Sequence, residues 1–183
     1  MDATEQVLDA IMRGELTETD LTTRRLGAFL GKTTSVLYHR YGSLDVFLYE
    51  VTQAGFRRLA ERFADPALAL EDAAERYLDF AVEQPVLYGL MFHRRWDWAE
   101  LRARRDLRAS PGFALWSGLV VRLRAAGSDQ PDVDARVLYA GLHGLASLAI
   151  SGRANVDDLT RTDRESAGLA ARRLVATICR RTP

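Results

Sequence analysis

The stretch from Leu21 to Val51 constrains this chain most: three runs with helical spacing are separated by breaks at Gly31 and at Gly42-Ser43. Thr22 and Thr23 can start the first helix, because a side-chain hydroxyl accepts from the free N–H groups of a first turn. Leu26, Phe29 and Leu30 then fall on one side at the three-and-four spacing of an amphipathic helix. Gly31 ends it, since glycine takes a positive φ without a Cβ clash. Thr33 can cap a second, short helix over Thr34 to Tyr41, and Leu44 opens a third, longer one.

On a wheel at about 100° per residue, Val36, Leu37, Arg40 and Tyr41 share one half of the short helix. Thr34, Ser35, Tyr38 and His39 share the other. The first half is mostly apolar and is expected to pack inward. The second offers small hydroxyls, a phenol and an imidazole. Such a face suits a helix entering the DNA major groove, about 12 Å wide, where side chains reach base edges and phosphates.

The segment resembles the helix-turn-helix domain of the tetracycline-repressor (TetR) family of bacterial regulators. Thr22-Thr23-Arg24, Leu26, Leu30-Gly31, Leu37-Tyr38, Tyr41 and Phe47 carry the likeness. They sit without a gap where the family's pattern has Thr-x-Arg, an apolar pair, Leu-Gly, Leu-Tyr, an aromatic and an apolar residue. The resemblance implies that Arg24, Thr34 and Ser35 meet bases, and that Thr23, Tyr38 and His39 meet the sugar-phosphate backbone. Lys32, Thr33 and Arg40 complete the expected DNA-facing set. There are three departures. Leu44 stands where the family usually has a phosphate-touching lysine. Arg40 stands where histidine is frequent and can supply charge from a neighbouring place. Gly27 replaces a common alanine.

Charge argues against a whole-protein attraction to nucleic acid. The 183 residues carry a formal net charge of zero, with a pI of about 6.8, so no global basic field exists. Within residues 1–50 the balance is negative. Arg13, Arg24, Arg25, Lys32 and Arg40 stand against Asp2, Glu5, Asp9, Glu15, Glu18, Asp20, Asp45 and Glu50, five against eight. A DNA-binding module normally shows a positive footprint. The cations do cluster between positions 24 and 40, with the acids before and after them.

Hydrophobic residues make up 48% of the chain, ample for a packed core rather than disorder. Cys179 is the sole cysteine, which excludes an internal disulfide and fits a reducing cytoplasm. No apolar run approaches the roughly 20 residues of a membrane span. The first residues are acidic rather than signal-like, so a cytoplasmic protein without membrane partners is expected.

Helical periodicity and its punctuation continue to the end. Helices are expected over Glu5 to Met12, Leu44 to Phe63, Ala67 to Gln84 and Val86 to Phe92. An arginine-rich loop and irregular helix should cover His93 to Arg108, followed by helices over Pro111 to Ala126, Pro131 to Ile150 and Asp163 to Arg181. Asp65-Pro66 and Gly127-Ser128 are breaks, and Pro111 suits a first helical turn. The expected class is all-α, with about nine helices. A three-helix DNA-binding domain spans 1–46, and a larger ligand-binding and dimerisation domain spans 47–183. The run from Tyr77 to Phe92 also looks like a segment of ligand-binding domains in one branch of the same family.

Val137, Leu138, Gly141, Leu142, Leu145, Ala146 and Leu148 cover much of one late helix. Leu169, Arg173, Val175, Ala176 and Ile178 mark the other. So wide an apolar surface exceeds one core contact, and the small residues permit close approach. The resemblance implies a homodimer through the helices at about 132–151 and 163–181, which would bring two reading helices to a palindromic operator.

Aromatics gather in the middle of the chain. Tyr77, Phe80, Tyr88, Phe92, Trp116, Tyr139 and His143 are the expected lining of a mostly apolar small-molecule site. Catalysis and metal binding find no support. His39, His93 and His143 are scattered, with no partner at ligand spacing. No phosphate-binding glycine loop or serine elbow is present, and no cofactor is expected. A ligand-responsive repressor, released from DNA by a small apolar or aromatic molecule, is therefore the leading expectation. A dimeric helical small-molecule-binding protein with degraded DNA affinity remains the alternative.

Overall fold

The computed structural model describes residues 2–65, 67–155 and 160–179, with only the backbone of Thr34. Among them the regular structure is entirely helical, in the order α1 Ala3–Met12, α2 Thr23–Phe29, α3 Thr34–Tyr41, α4 Leu44–Glu61, α5 Leu70–Glu83, α6 Pro85–Phe92, α7 Trp98–Arg104, α8 Pro111–Ala125, α9 Pro131–Ile150 and α10 Asp163–Cys179. Short 3-10 turns cover Glu18–Asp20 and Leu107–Ala109. The expected end of the last helix at Arg181 lies outside the described residues.

Local chemistry places several boundaries. Asp2 caps α1 by accepting from the Ala3 N–H at 2.8 Å, and the Thr22 hydroxyl accepts from the Arg25 N–H at 3.4 Å to start α2. Thr33 occupies the capping position of α3, but its side chain makes no capping hydrogen bond, contrary to expectation. Gly31 and Gly42 have φ of 61° and 88°, a region that L side chains enter only with strain. Between α1 and α2, the Thr17 hydroxyl and backbone N–H both donate to Asp20, with Arg25 behind them. Together they hold that carboxyl at about 2.

The chain forms two compact units. The first comprises Met1–Arg58 and Val86–Phe113, the second Leu59–Pro85 and Ala114–Pro183. In the first, Val7, Leu8 and Ile11 of α1, Leu26 of α2, Leu37 and Tyr41 of α3, and Val46, Phe47, Leu48 and Val51 of α4 are buried. Leu87, Tyr88 and Met91 of α6 and Leu101 of α7 are buried as well. Gly55 allows α4 and α6 to meet. A Cβ there would lie 3.0 Å from Met91 Sδ and 3.1 Å from Leu87 Cδ1.

The second unit is built on α5, α9 and α10, which pack against one another. Ala74, Tyr77, Leu78 and Ala81 on α5 are buried, as are Ala135, Leu138, Leu142 and Ala146 on α9 and Ala167, Ala171, Val175 and Ile178 on α10. The alanines bring the helix axes close. Gly141 does so further, since a Cβ there would run into Leu174 of α10. Around this core Arg164 pairs with Asp79 at 2.7 Å, and Arg172 pairs with Asp72 at 3.1 Å and with Glu75. These pairs are partly exposed and contribute little each; the stability comes from apolar burial. Leu138→Ala should therefore lower the unfolding free energy by about 2–5 kcal/mol, read from urea denaturation.

Candidate functional site

Two inward side chains set the orientation of α3. Leu37 and Tyr41, one turn apart, are 5% and 7% exposed. The Tyr41 ring meets Phe47 of α4 edge-on with centroids 4.7 Å apart, and its hydroxyl lies 3.5 Å from the Thr4 hydroxyl. The inward face is narrower than the wheel suggests. Val36, expected inside, is 48% exposed. The Arg40 side chain is also exposed and pairs with Asp2 at 2.8 Å. One buried turn against α4 leaves room for i and i+4 only, so their neighbours at i−1 and i+3 face out.

The outward side carries the expected residues. Ser35, Tyr38, His39, Lys32 and Thr33 are exposed, and Tyr38 is 47% open. Thr23 of α2 lies beside Tyr38, with its hydroxyl 3.5 Å from the phenol oxygen, so these two share a recess with Leu37, Ser43, Leu44 and Phe47. Arg24 is exposed beside them. The Thr34 side chain lies outside the described residues. Two cations of the region are engaged at home: Arg25 with Asp20 and Arg40 with Asp2.

The arginine-rich segment that follows α6 belongs to this same unit, which the sequence did not suggest. Arg94 pairs with Asp45 at 2.6 Å and lies over the Trp96 ring, which in turn meets Tyr49 edge-on. Arg105 pairs with Glu50. Ser43 Oγ donates to Glu100 at 2.9 Å and accepts from the Val46 N–H at 3.2 Å, which caps α4. The start of α4 is thus held by side chains about fifty residues later in the chain.

The expected ligand residues fall into three groups. Trp116 and Tyr139 meet edge-on at 6.2 Å, Tyr139 stacks on His143 at 6.0 Å, and the Arg136 guanidinium lies over Trp116 at 5.8 Å. Arg136 was not anticipated. Helical spacing places it one turn before Ala140, and only the packing of α8 against α9 shows its neighbour. Tyr77 and Phe80 sit in the core on α5, the latter beneath Arg62 at 5.4 Å. In the first unit Tyr88 is fully buried against Phe92, which also meets Phe56 edge-on. Among the described residues no three His, Cys, Asp or Glu side chains converge on a metal position.

Residues 70–177 match the family model described as Tetracyclin repressor-like, C-terminal domain. That span is more than half of the chain. The chain belongs to the tetracycline-repressor family. Neither the curated proteins nor the solved structures returned a match. The all-helical architecture agrees with that membership, and no described helix is long and apolar enough to cross a membrane.

In the aromatic group of this TetR-family domain, partial burial disfavours the phenolate and pushes the Tyr139 hydroxyl above its ordinary value of 10.0. An ultraviolet titration should therefore show a late-ionising tyrosine component that Tyr139→Phe diminishes by one residue's share.

Proposed function

We propose that this protein is a cytoplasmic, ligand-responsive transcriptional regulator that binds a palindromic operator as a homodimer and represses until a small apolar or aromatic molecule releases it. One observation carries the reading: among its described side chains α3 buries only Leu37 and Tyr41 and turns Ser35, Tyr38 and His39 outward beside Thr23 and Arg24. Residues 1–46 form the reading head, and 47–183 bind ligand and dimerise. In the head, Arg24, Thr34 and Ser35 meet base edges while Thr23, Tyr38 and His39 hold the backbone. Lys32, Thr33 and Arg40 flank them. Phosphate contacts set register and base contacts set sequence.

Dimerisation has a surface to use. On α9, Val133, Val137, Ala140, Gly144 and Leu148 are exposed at spacings of three and four, and Leu169 is 52% exposed on α10. A Cβ at Gly144 would meet nothing within 4 Å, so a partner helix can approach closely there. Apolar faces of this extent on helix surfaces favour burial against a second copy. Tyr77, Phe80, Tyr88, Phe92, Trp116, Tyr139 and His143 are the proposed effector-contacting set. Release requires the effector to favour the non-binding shape by about 1–3 kcal/mol, transmitted by movement of α4. The reading assigns the chain no catalysis and no cofactor.

A second reading, a dimeric helical small-molecule-binding protein with degraded DNA affinity, has one specific support. Arg25 and Arg40 are neutralised by Asp20 and Asp2. A gel shift with the duplex upstream of the chain's own coding region, with competitor DNA, separates the two. Under the regulator reading Tyr38→Ala weakens that complex while leaving the helical circular-dichroism signal intact. Arg24→Ala costs about 1–3 kcal/mol of specific binding and relaxes one base preference. Undiminished binding by Tyr38→Ala would remove α3 from the interface.

A further inference from the structure

The reading head on its own has the wrong charge for its proposed partner. Residues 1–50 hold five cations against eight carboxylates. Residues 94–108, distant in sequence but in the same compact unit, hold Arg94, Arg95, Arg102, Arg104, Arg105 and Arg108 against Asp97, Glu100 and Asp106. Two of these arginines are used up on α4, Arg94 by Asp45 and Arg105 by Glu50. Of the four exposed ones, Arg104 meets Glu100 through Nε, while Arg95, Arg102 and Arg108 remain as surplus.

Arg104 is placed differently from the other three. Its guanidinium lies against the Cα of Gly42, the residue that ends α3: a Cβ built there would sit 2.6 Å from Nη1, 2.8 Å from Cζ and 3.1 Å from Nη2. The guanidinium rests in space that a side chain at position 42 would contest, and the φ of 88° there favours glycine. Arg104 Nε faces Glu100 Oε1 at 3.3 Å, and Glu100 in turn accepts from Ser43 at the first turn of α4. Nη1 and Nη2 have no hydrogen-bond partner among the described residues, and the side chain is 48% exposed. An unspent guanidinium edge is thus held over the α3–α4 turn. That turn adjoins the recess shared by Thr23, Tyr38, Ser43 and Leu44.

We propose that Arg104 of α7 binds a DNA phosphate at the α3–α4 turn, so that the interface includes a residue from outside the helix-turn-helix segment. This rests on the regulator reading above. Glu100 and Ser43 act as its positioning residues. A guanidinium resting on the turn at one face and open at its fork is suited to a phosphate oxygen pair. The contact is blind to sequence, as phosphate contacts are.

The test uses the full chain, a duplex recovered from unbiased selection and a random duplex of equal length, with fluorescence anisotropy over a range of salt. Arg104→Gln should weaken binding to both duplexes by about tenfold at low salt. The slope of log affinity against log salt should fall by about 1.8, at roughly 0.9 per phosphate for two copies in a dimer. Arg104→Lys should restore most of both. Arg124→Gln, an equal charge change on exposed α8, should alter neither. If wild-type protein binds neither duplex, the regulator reading fails and takes this proposal with it. If wild type binds and Arg104→Gln matches Arg124→Gln, the proposal alone is overturned. A loss with an unchanged salt slope, or one that Arg104→Lys does not restore, assigns Arg104 a purely structural role and overturns it equally.

Discussion

The packing of Tyr41 and Leu37 against Phe47 is the contact from which α3 takes its orientation. α3 has barely two turns and could not hold a helical shape in water by itself. Its register is set by which two side chains enter the core, and these are one turn apart at i and i+4. A rotation by one residue would bring Tyr38 inward and turn Tyr41 to solvent. The edge-on ring contact at 4.7 Å and the hydroxyl of Thr4 beside the Tyr41 phenol resist that rotation. What α3 presents outward is the complement of that choice, including Val36, an apolar side chain left in the open.

Electrostatics in the first unit work across long sequence separations. The acidic start of α4 would repel a polyanion if Asp45 and Glu50 were bare. They are not bare, because Arg94 and Arg105 reach them from the segment around α7. Partly buried pairs of this kind add little net stability, since desolvation offsets most of the attraction. Their larger effect is on placement. They seat α7 against the α3–α4 turn, with Ser43 and Glu100 as the third contact.

The second unit shows how small residues divide an apolar helix surface. Ala135, Leu138, Leu142 and Ala146 face α5 and α10, and Gly141 brings α9 close enough to touch Leu174. The remaining apolar positions on α9 stay outside. The breadth of that surface was legible from the positions of its apolar residues. Which half served the core was not, because a helix that is apolar nearly all round has no preferred inward side until its neighbours are placed.

Periodicity, capping residues and glycine or proline breaks were enough to determine the helical class and most helix ends. The short helix from Thr34 to Tyr41 and the helix from Pro131 to Ile150 lie where their spacing puts them. These signals are local, since a hydrogen-bonded turn depends on residues no more than four apart. Tertiary structure alone decided that Val36 faces out, that Arg40 spends its charge on Asp2, that Arg136 covers Trp116, and that the arginines near α7 share a compact unit with α3. Each of these depends on which distant surface arrives alongside, and a linear pattern of residues carries no record of that meeting.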